Sequence, residues 1–107
     1  MTCTDLHTRK GNSEMREKET ERKLTRAVQM MDGMAVKFVS PGYDGMPDRL
    51  VLLKGGRMAF VEVKAKGRKP RPLQEARHRK LRELGFRVYV LDDPEDIKEI
   101  LDEIQTT

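Results

Sequence analysis

The sequence predicts an α/β domain of order αβββαβα, with a small mixed sheet flanked by helices. Three observations carry this: helical spacing in a charged first third, period-two apolar runs either side of Gly55-Gly56, and two later helical patterns separated by a β-rich run. Residues 1–13 are polar and unpatterned and are expected to form a flexible tail, leaving 14–107 as one domain. Ser13 then suits a helix cap, and Leu24, Ala27, Val28 and Met31 recur at helical spacing over roughly 14–32, ending at Gly33. Residues 35–40 (AVKFVS) read as a strand, 41–47 (PGYDGMP) as a turn-forming loop and 49–53 as a second strand. Gly55-Gly56 makes a tight hairpin into a third strand, 57–64. A basic loop with two prolines leads to a helix over 73–84, stopped by Gly85. Residues 87–91 form a fourth strand, and 94–104 an amphipathic helix with Ile97, Ile100, Leu101 and Ile104 inward.

The bulk numbers narrow the function. A chain of 107 residues, 36% hydrophobic and 37% charged, supports one thin core. Net charge is +4 and the isoelectric point about 9.4, which favours polyanionic partners. Cys3 is the single cysteine, so neither an internal disulfide nor a cysteine zinc site can form. No apolar run approaches the roughly 20 residues that span a bilayer, and the first residues lack a secretion signal. A soluble cytoplasmic protein without membrane attachment is expected.

The residues that carry chemistry lie around the hairpin. Glu62 and Lys64 are two apart on a strand and share a face with Met58 and Phe60, while Val61 and Val63 turn the other way. Charges at the end of an apolar strand, covered by helices, need charged partners. Asp48 opens the neighbouring strand, and the hairpin brings it to the same sheet end. Two carboxylates plus water suit Mg²⁺ or Mn²⁺, and Lys64 is placed to orient a nucleophile or add positive charge. That is the chemistry of phosphodiester hydrolysis. Taken alone, Glu62 and Lys64 also fit a solvated strand face with a weak ion pair.

Pro47-Asp48 followed by Glu62-Val63-Lys64 resembles the PD-(D/E)xK signature of restriction-endonuclease-like nucleases. The wider set, SPGYDGMPDRLVLL, FVEVK, Gln74 and LGFRVYVL, resembles the virus-type replication-repair nuclease (VRR-NUC) domain over about Glu14 to Asp93. The resemblance implies a restriction-endonuclease-like core and catalytic roles for Asp48, Glu62, Lys64, Gln74 and a first-helix glutamate. It implies a metal held at Asp48, Glu62 and Val63 with Glu21 or Glu17. Glu17 and Glu21 lie four apart on one helix face, and Glu21 is preferred. Both also fit a solvated, highly charged helix. His78 reads as an ordinary surface histidine.

Charge is polarised along the chain. From Lys64 to Arg82 there are nine Lys or Arg against Glu75, whereas residues 92–103 hold seven acids and only Lys98. Lys66, Arg68, Lys69, Arg71 and Arg77 are therefore expected to contact DNA phosphates, with the acidic last helix turned away. The expected activity is a metal-dependent DNA endonuclease, acting as a homodimer on branched DNA in the manner of a Holliday-junction resolvase. Its setting would be a bacterial or phage-infected cell, the phage setting resting on the resemblance. The alternatives are a flap-cutting or nicking nuclease working with a replication or recombination partner, and a non-catalytic DNA-binding module. For the dimer contact, Met30, Met31, Met34, Tyr43 and Met46 are the expected patch.

Overall fold

The computed structural model describes the backbone of residues 2–106 and the side chains of residues 16–106. The elements are α1 (Thr2–Met30), β1 (Met34–Lys37), β2 (Arg49–Leu53), β3 (Arg57–Val63), α2 (Pro72–Glu83), β4 (Val88–Leu91) and α3 (Ile97–Gln105). Short 3₁₀ turns occupy Lys54–Gly56 and Pro94–Asp96. The expected order αβββαβα is the observed one. Several boundaries differ: the last helix, expected from 94, starts at Ile97 after the 3₁₀ turn, and two other shifts have clear causes. The first helix runs back through Ser13 to Thr2, so no start falls at Ser13, and the side chains of the expected tail lie outside the described residues. The first strand ends at Lys37 rather than Ser40, because the chain turns into the proline and glycine loop, after one more ladder bond from Phe38 N–H to the Asp48 carbonyl at 2.9 Å.

The sheet has order β1-β2-β3-β4, with β1/β2 and β2/β3 antiparallel and β3/β4 parallel. The parallel pair requires a crossover, and α2 supplies it. On one face Leu24 and Val28 of α1 and Ile97, Ile100, Leu101 and Ile104 of α3 pack against Val51, Val61, Val63 and Leu91. Burying each such side chain contributes about 1.5–3 kcal/mol, so this face anchors the fold. On the other face α2 covers Phe60 and Val88 through Leu81, and Phe60 meets Phe38 and Phe86 edge to face. The alternation along β3 thus places Phe60 and Glu62 under α2 and Val61 and Val63 under α1 and α3.

The end of α1 departs from the sequence expectation in its cause. Gly33 N–H reaches back to the Val28 carbonyl at 2.9 Å, but the residue with positive φ is Asp32, at 58°. Gly33 serves a different need: a Cβ there would stand 2.5 Å from the Leu52 carbonyl oxygen and 2.8 Å from Leu53. Glycine at this position lets the chain leave α1 tight against β2. The outer patch also changes. Met31 and Met46 pack against the two core clusters, so Met30, Met34 and Tyr43 remain as exposed residues of the expected contact surface.

Candidate active site

The β2/β3 register assembles the acidic pair. Arg49 stands opposite Val61, and one step outward Asp48 comes level with Glu62. Val63 N–H donates to Asp48 Oδ1 at 3.1 Å, tying the end of one strand to the side chain that opens its neighbour. The loop before Asp48 is pressed on α2 at Gly45, whose φ is 89° and where a Cβ would lie 2.9 Å from Leu73 and 3.0 Å from Arg77. Pro47 is fully buried, which holds the approach to Asp48.

Glu62 is 3% exposed. Gln74 Nε2 donates to its Oε2 at 3.2 Å, and Lys64 Nζ stands 3.5 Å from the same oxygen. Gln74 is itself oriented, because its Oε1 accepts from Arg71 N–H at 2.8 Å in the first turn of α2. One amide therefore caps the helix and grips the carboxylate. Glu62 Oε1 faces His78 Nε2 at 4.0 Å, too long for a hydrogen bond, and both atoms are buried with no hydrogen-bond partner among the described residues.

His78 corrects the sequence expectation of a surface residue. It is 2% exposed, one turn after Gln74 on the inward face of α2 with Leu81. Burial, then the nearby Arg82 charge, holds its pKa below the ordinary histidine value. The spacing of residues 74, 78 and 81 is the available sign, but a basic helix with little apolar content masks it.

The carboxylates repel each other. Burial, then the charge of Asp48, pushes Glu62 up to about 7, with Lys64 pulling the other way. Asp48 is raised as well, first by burial and then by Glu21 and Glu17, while the Val63 N–H opposes. A carboxyl whose folded pKa exceeds its ordinary 4.5 gives stability that is full below about 4.5 and lost as pH rises through about 7. For Glu62 this amounts to about 3 kcal/mol. His78 acts in the opposite sense, losing its stabilisation as pH falls, so the parent's pH profile mixes the two. We expect Glu62→Gln to raise the melting temperature, relative to the parent in divalent-free buffer, much more at about pH 8 than at about pH 5. An equal difference at both pH values would mean that Glu62 titrates as in water.

The first-helix acids occupy different positions. Glu21 Oε2 accepts from Arg49 Nη2 at 2.8 Å, and Arg49 Nη1 also donates to the Ala35 carbonyl at 3.1 Å. Glu17 reaches the pair through its charge on both Asp48 and Glu62. Among the described residues, no group of three or more His, Cys, Asp or Glu is placed to hold a metal ion. Asp48 and Glu62 nonetheless suit a hard divalent cation. Such ions need only one or two carboxylates plus waters, and Glu62 Oε1 is a buried acceptor lacking a donor among the described residues. Val63 has only main-chain atoms to offer, and its N–H already serves Asp48.

Of the expected phosphate contacts, Arg68, Lys69 and Arg71 are partly or fully exposed. Lys66 Nζ lies 3.6 Å from Asp93 Oδ2. Arg77 is committed to the loop before Asp48, donating to the Asp44 carbonyl at 2.8 Å with its guanidinium 4.0 Å over the Tyr43 ring.

A mixed sheet with helices on both faces, and an Asp, Glu and Lys set at the end of two adjacent strands, defines a restriction-endonuclease-like nuclease core. No family model matches the chain. A curated relative, "Putative nuclease p44" of Acyrthosiphon pisum secondary endosymbiont phage 1, is 48% identical over 87 residues, covering 81% of this chain and 92% of the relative. A solved structure described as "VRR_NUC domain" superposes with a TM-score of 0.76 at 27% identity, over 81% of this chain and 95% of that one. The chain belongs to the VRR-NUC nuclease family.

Proposed function

We propose that the protein is a divalent-metal-dependent DNA endonuclease, with Mg²⁺ or Mn²⁺ held by Asp48 and Glu62, acting as a homodimer on branched DNA. The observation that carries the reading is the mutually repelling pair of half-buried Asp48 and buried Glu62, whose repulsion a cation relieves. A bound divalent ion would acidify an attacking water and offset charge on the scissile phosphate. The chain's own residues do the positioning. Val63 N–H and Gln74 fix the two carboxylates. Lys64, beside Glu62, orients the water that attacks phosphorus as the P–O bond to the leaving strand breaks. Glu21, preferred over Glu17, is the first-helix acid of the site. It would have to leave or share Arg49 to reach a metal.

The homodimer is supported by size, since a domain of 107 residues offers a small footprint whereas two-fold branched DNA presents two backbones. Exposed Met30 and Met34 are available as contact residues. A phage relative supports the reading that the protein works in a bacterial or phage-infected cell.

The test is cleavage of linear, flap and four-way-junction DNA in Mg²⁺ or Mn²⁺, with the mass measured by sedimentation. A dimer cutting junctions preferentially is expected. A monomer cutting all three equally would reduce the function to a general nuclease, and no cleavage of any would overturn the enzymatic reading. Mn²⁺ should also raise the melting temperature of the parent but not of Glu62→Gln. Neutralising Lys66, Arg68, Lys69 and Arg71 together should weaken binding to every DNA shape. It should lower the salt slope of binding by about 0.9 per lost contact. An unchanged slope would point the loop away from DNA.

A further inference from the structure

One strongly basic surface lies apart from the loop at 66–71 and meets the site only through Glu21 and Arg49. An open cleft of about 670 Å³ runs between α1 and the β1–β2 edge of the sheet, lined by Lys18, Arg22, Arg26, Lys37, Arg49 and Glu21. Glu21 is spoken for by Arg49 at 2.8 Å. Among the described residues no acid stands within ion-pair distance of Lys18, Arg22, Arg26 or Lys37, so among those residues the cleft holds four unpaired cations.

Their arrangement is costly to the free protein. Lys18, Arg22 and Arg26 repeat every four residues, so like charges stack one turn apart on one helix face, an unfavourable pattern. Lys37 is paired in register with Arg49, whose charge Glu21 already offsets. A polyanion laid along the cleft removes this repulsion. From Lys18 to Arg26 the stripe spans about 12 Å at 1.5 Å per residue, or three to four base-pair steps of a DNA strand at about 3.4 Å each.

The cleft also adjoins the chemistry. Arg49 directly follows Asp48, and the charge of Glu21 acts on Asp48. In the strand order β1-β2-β3-β4 the carboxylates lie at β2 and β3, with this cleft on the β1 side, whereas Lys66 sits beside Asp93 just past the end of β4, against Arg16 and Lys23 of α1. The two basic surfaces therefore flank the site.

We propose that the α1–β1 cleft is a second DNA-backbone track, in which Lys18, Arg22 and Arg26 bind phosphates along one strand of the duplex on the opposite side of the cut from the 66–71 loop. This rests on the nuclease reading and extends it to how the substrate is held. The occupant is a phosphodiester backbone rather than an acidic protein, because the cleft neighbours, through Arg49 and Glu21, a carboxylate suited to phosphodiester cleavage.

The test compares the full chain carrying Lys18→Ala, Arg22→Ala and Arg26→Ala with a charge-matched control, Lys54→Ala, Arg57→Ala and Lys98→Ala. Duplex binding is followed by fluorescence anisotropy across a salt series, and steady-state cleavage is measured beside it. The stripe variant should lose about 2.7 from the salt slope, at about 0.9 per contact. It should raise KM at least tenfold with kcat nearly unchanged, and melt no lower than the parent, since none of the three is in an ion pair among the described residues and alanine favours the helix. The control should keep the parental slope. Equal slopes for stripe variant and control, with a parent that binds and cuts DNA, would overturn the track and leave the nuclease reading standing. A parent that neither binds nor cuts DNA would overturn both.

Discussion

Asp48→Asn and Glu62→Gln are each expected to lower single-turnover cleavage by about 10³-fold or more, while duplex binding without divalent ion stays the same or tightens. The size follows from the several kcal/mol that cation chemistry contributes to phosphodiester hydrolysis, at about 1.4 kcal/mol per tenfold. The direction of the binding effect follows from charge. Asp48 and Glu62 are pushed toward the neutral form by burial and by neighbouring carboxylates, and both repel phosphate when ionised. Removing one charge relieves its neighbour. Neither amide should unfold the chain, because each keeps a carbonyl oxygen where the carboxylate accepted: toward the Val63 N–H in Asp48→Asn, and toward the Gln74 amide in Glu62→Gln. Rapid-quench cleavage and anisotropy on the same preparations decide the matter. Cleavage within tenfold of the parent in Mg²⁺ would remove that carboxylate from the site.

Lys64→Met should lower kcat by about 10²–10³-fold with little change in KM, the range expected for a group acting in the transition state. Lys64 also holds Glu62 down, since its ammonium, 3.5 Å from Oε2, opposes the burial that raises the carboxyl. Loss of that charge should push Glu62 higher still and make the divalent-free protein less stable at about pH 8 than the parent, with little difference at about pH 5. The two readouts separate chemistry from packing. A variant that loses stability but keeps kcat would leave Lys64 a structural partner of Glu62. Gln74→Ala should be milder, about tenfold, because it loosens Glu62 without removing a charge.

The alternation in residues 57–64 and the two glycines before it place Glu62 and Lys64 on one face, because a strand's side chains have period two and a short hairpin leaves little freedom of register. Asp48 follows from the same register. The boundaries of the first helix do not: a charged helix has no sharp start in its sequence, and Ser13, though a good cap residue, is passed over. Gly33 does mark the end of that helix, but the sequence suggests a local reason where the structure shows close approach to Leu52 instead.

By itself, then, the sequence determined the element order, the pairing of Asp48 with Glu62, and the separation of basic and acidic segments, all of which depend on contacts near along the chain or on strand period. Only the tertiary structure decided that His78 lies buried behind Glu62, that Arg49 takes Glu21, and that Lys18, Arg22 and Arg26 meet Lys37 across a cleft. Each of these depends on how a helix is rotated and set over the sheet. Helices this rich in charge carry too narrow an apolar stripe to reveal that rotation, which is set instead by the packing of a few residues, Leu24 and Val28 in α1 and Leu81 in α2, against the sheet.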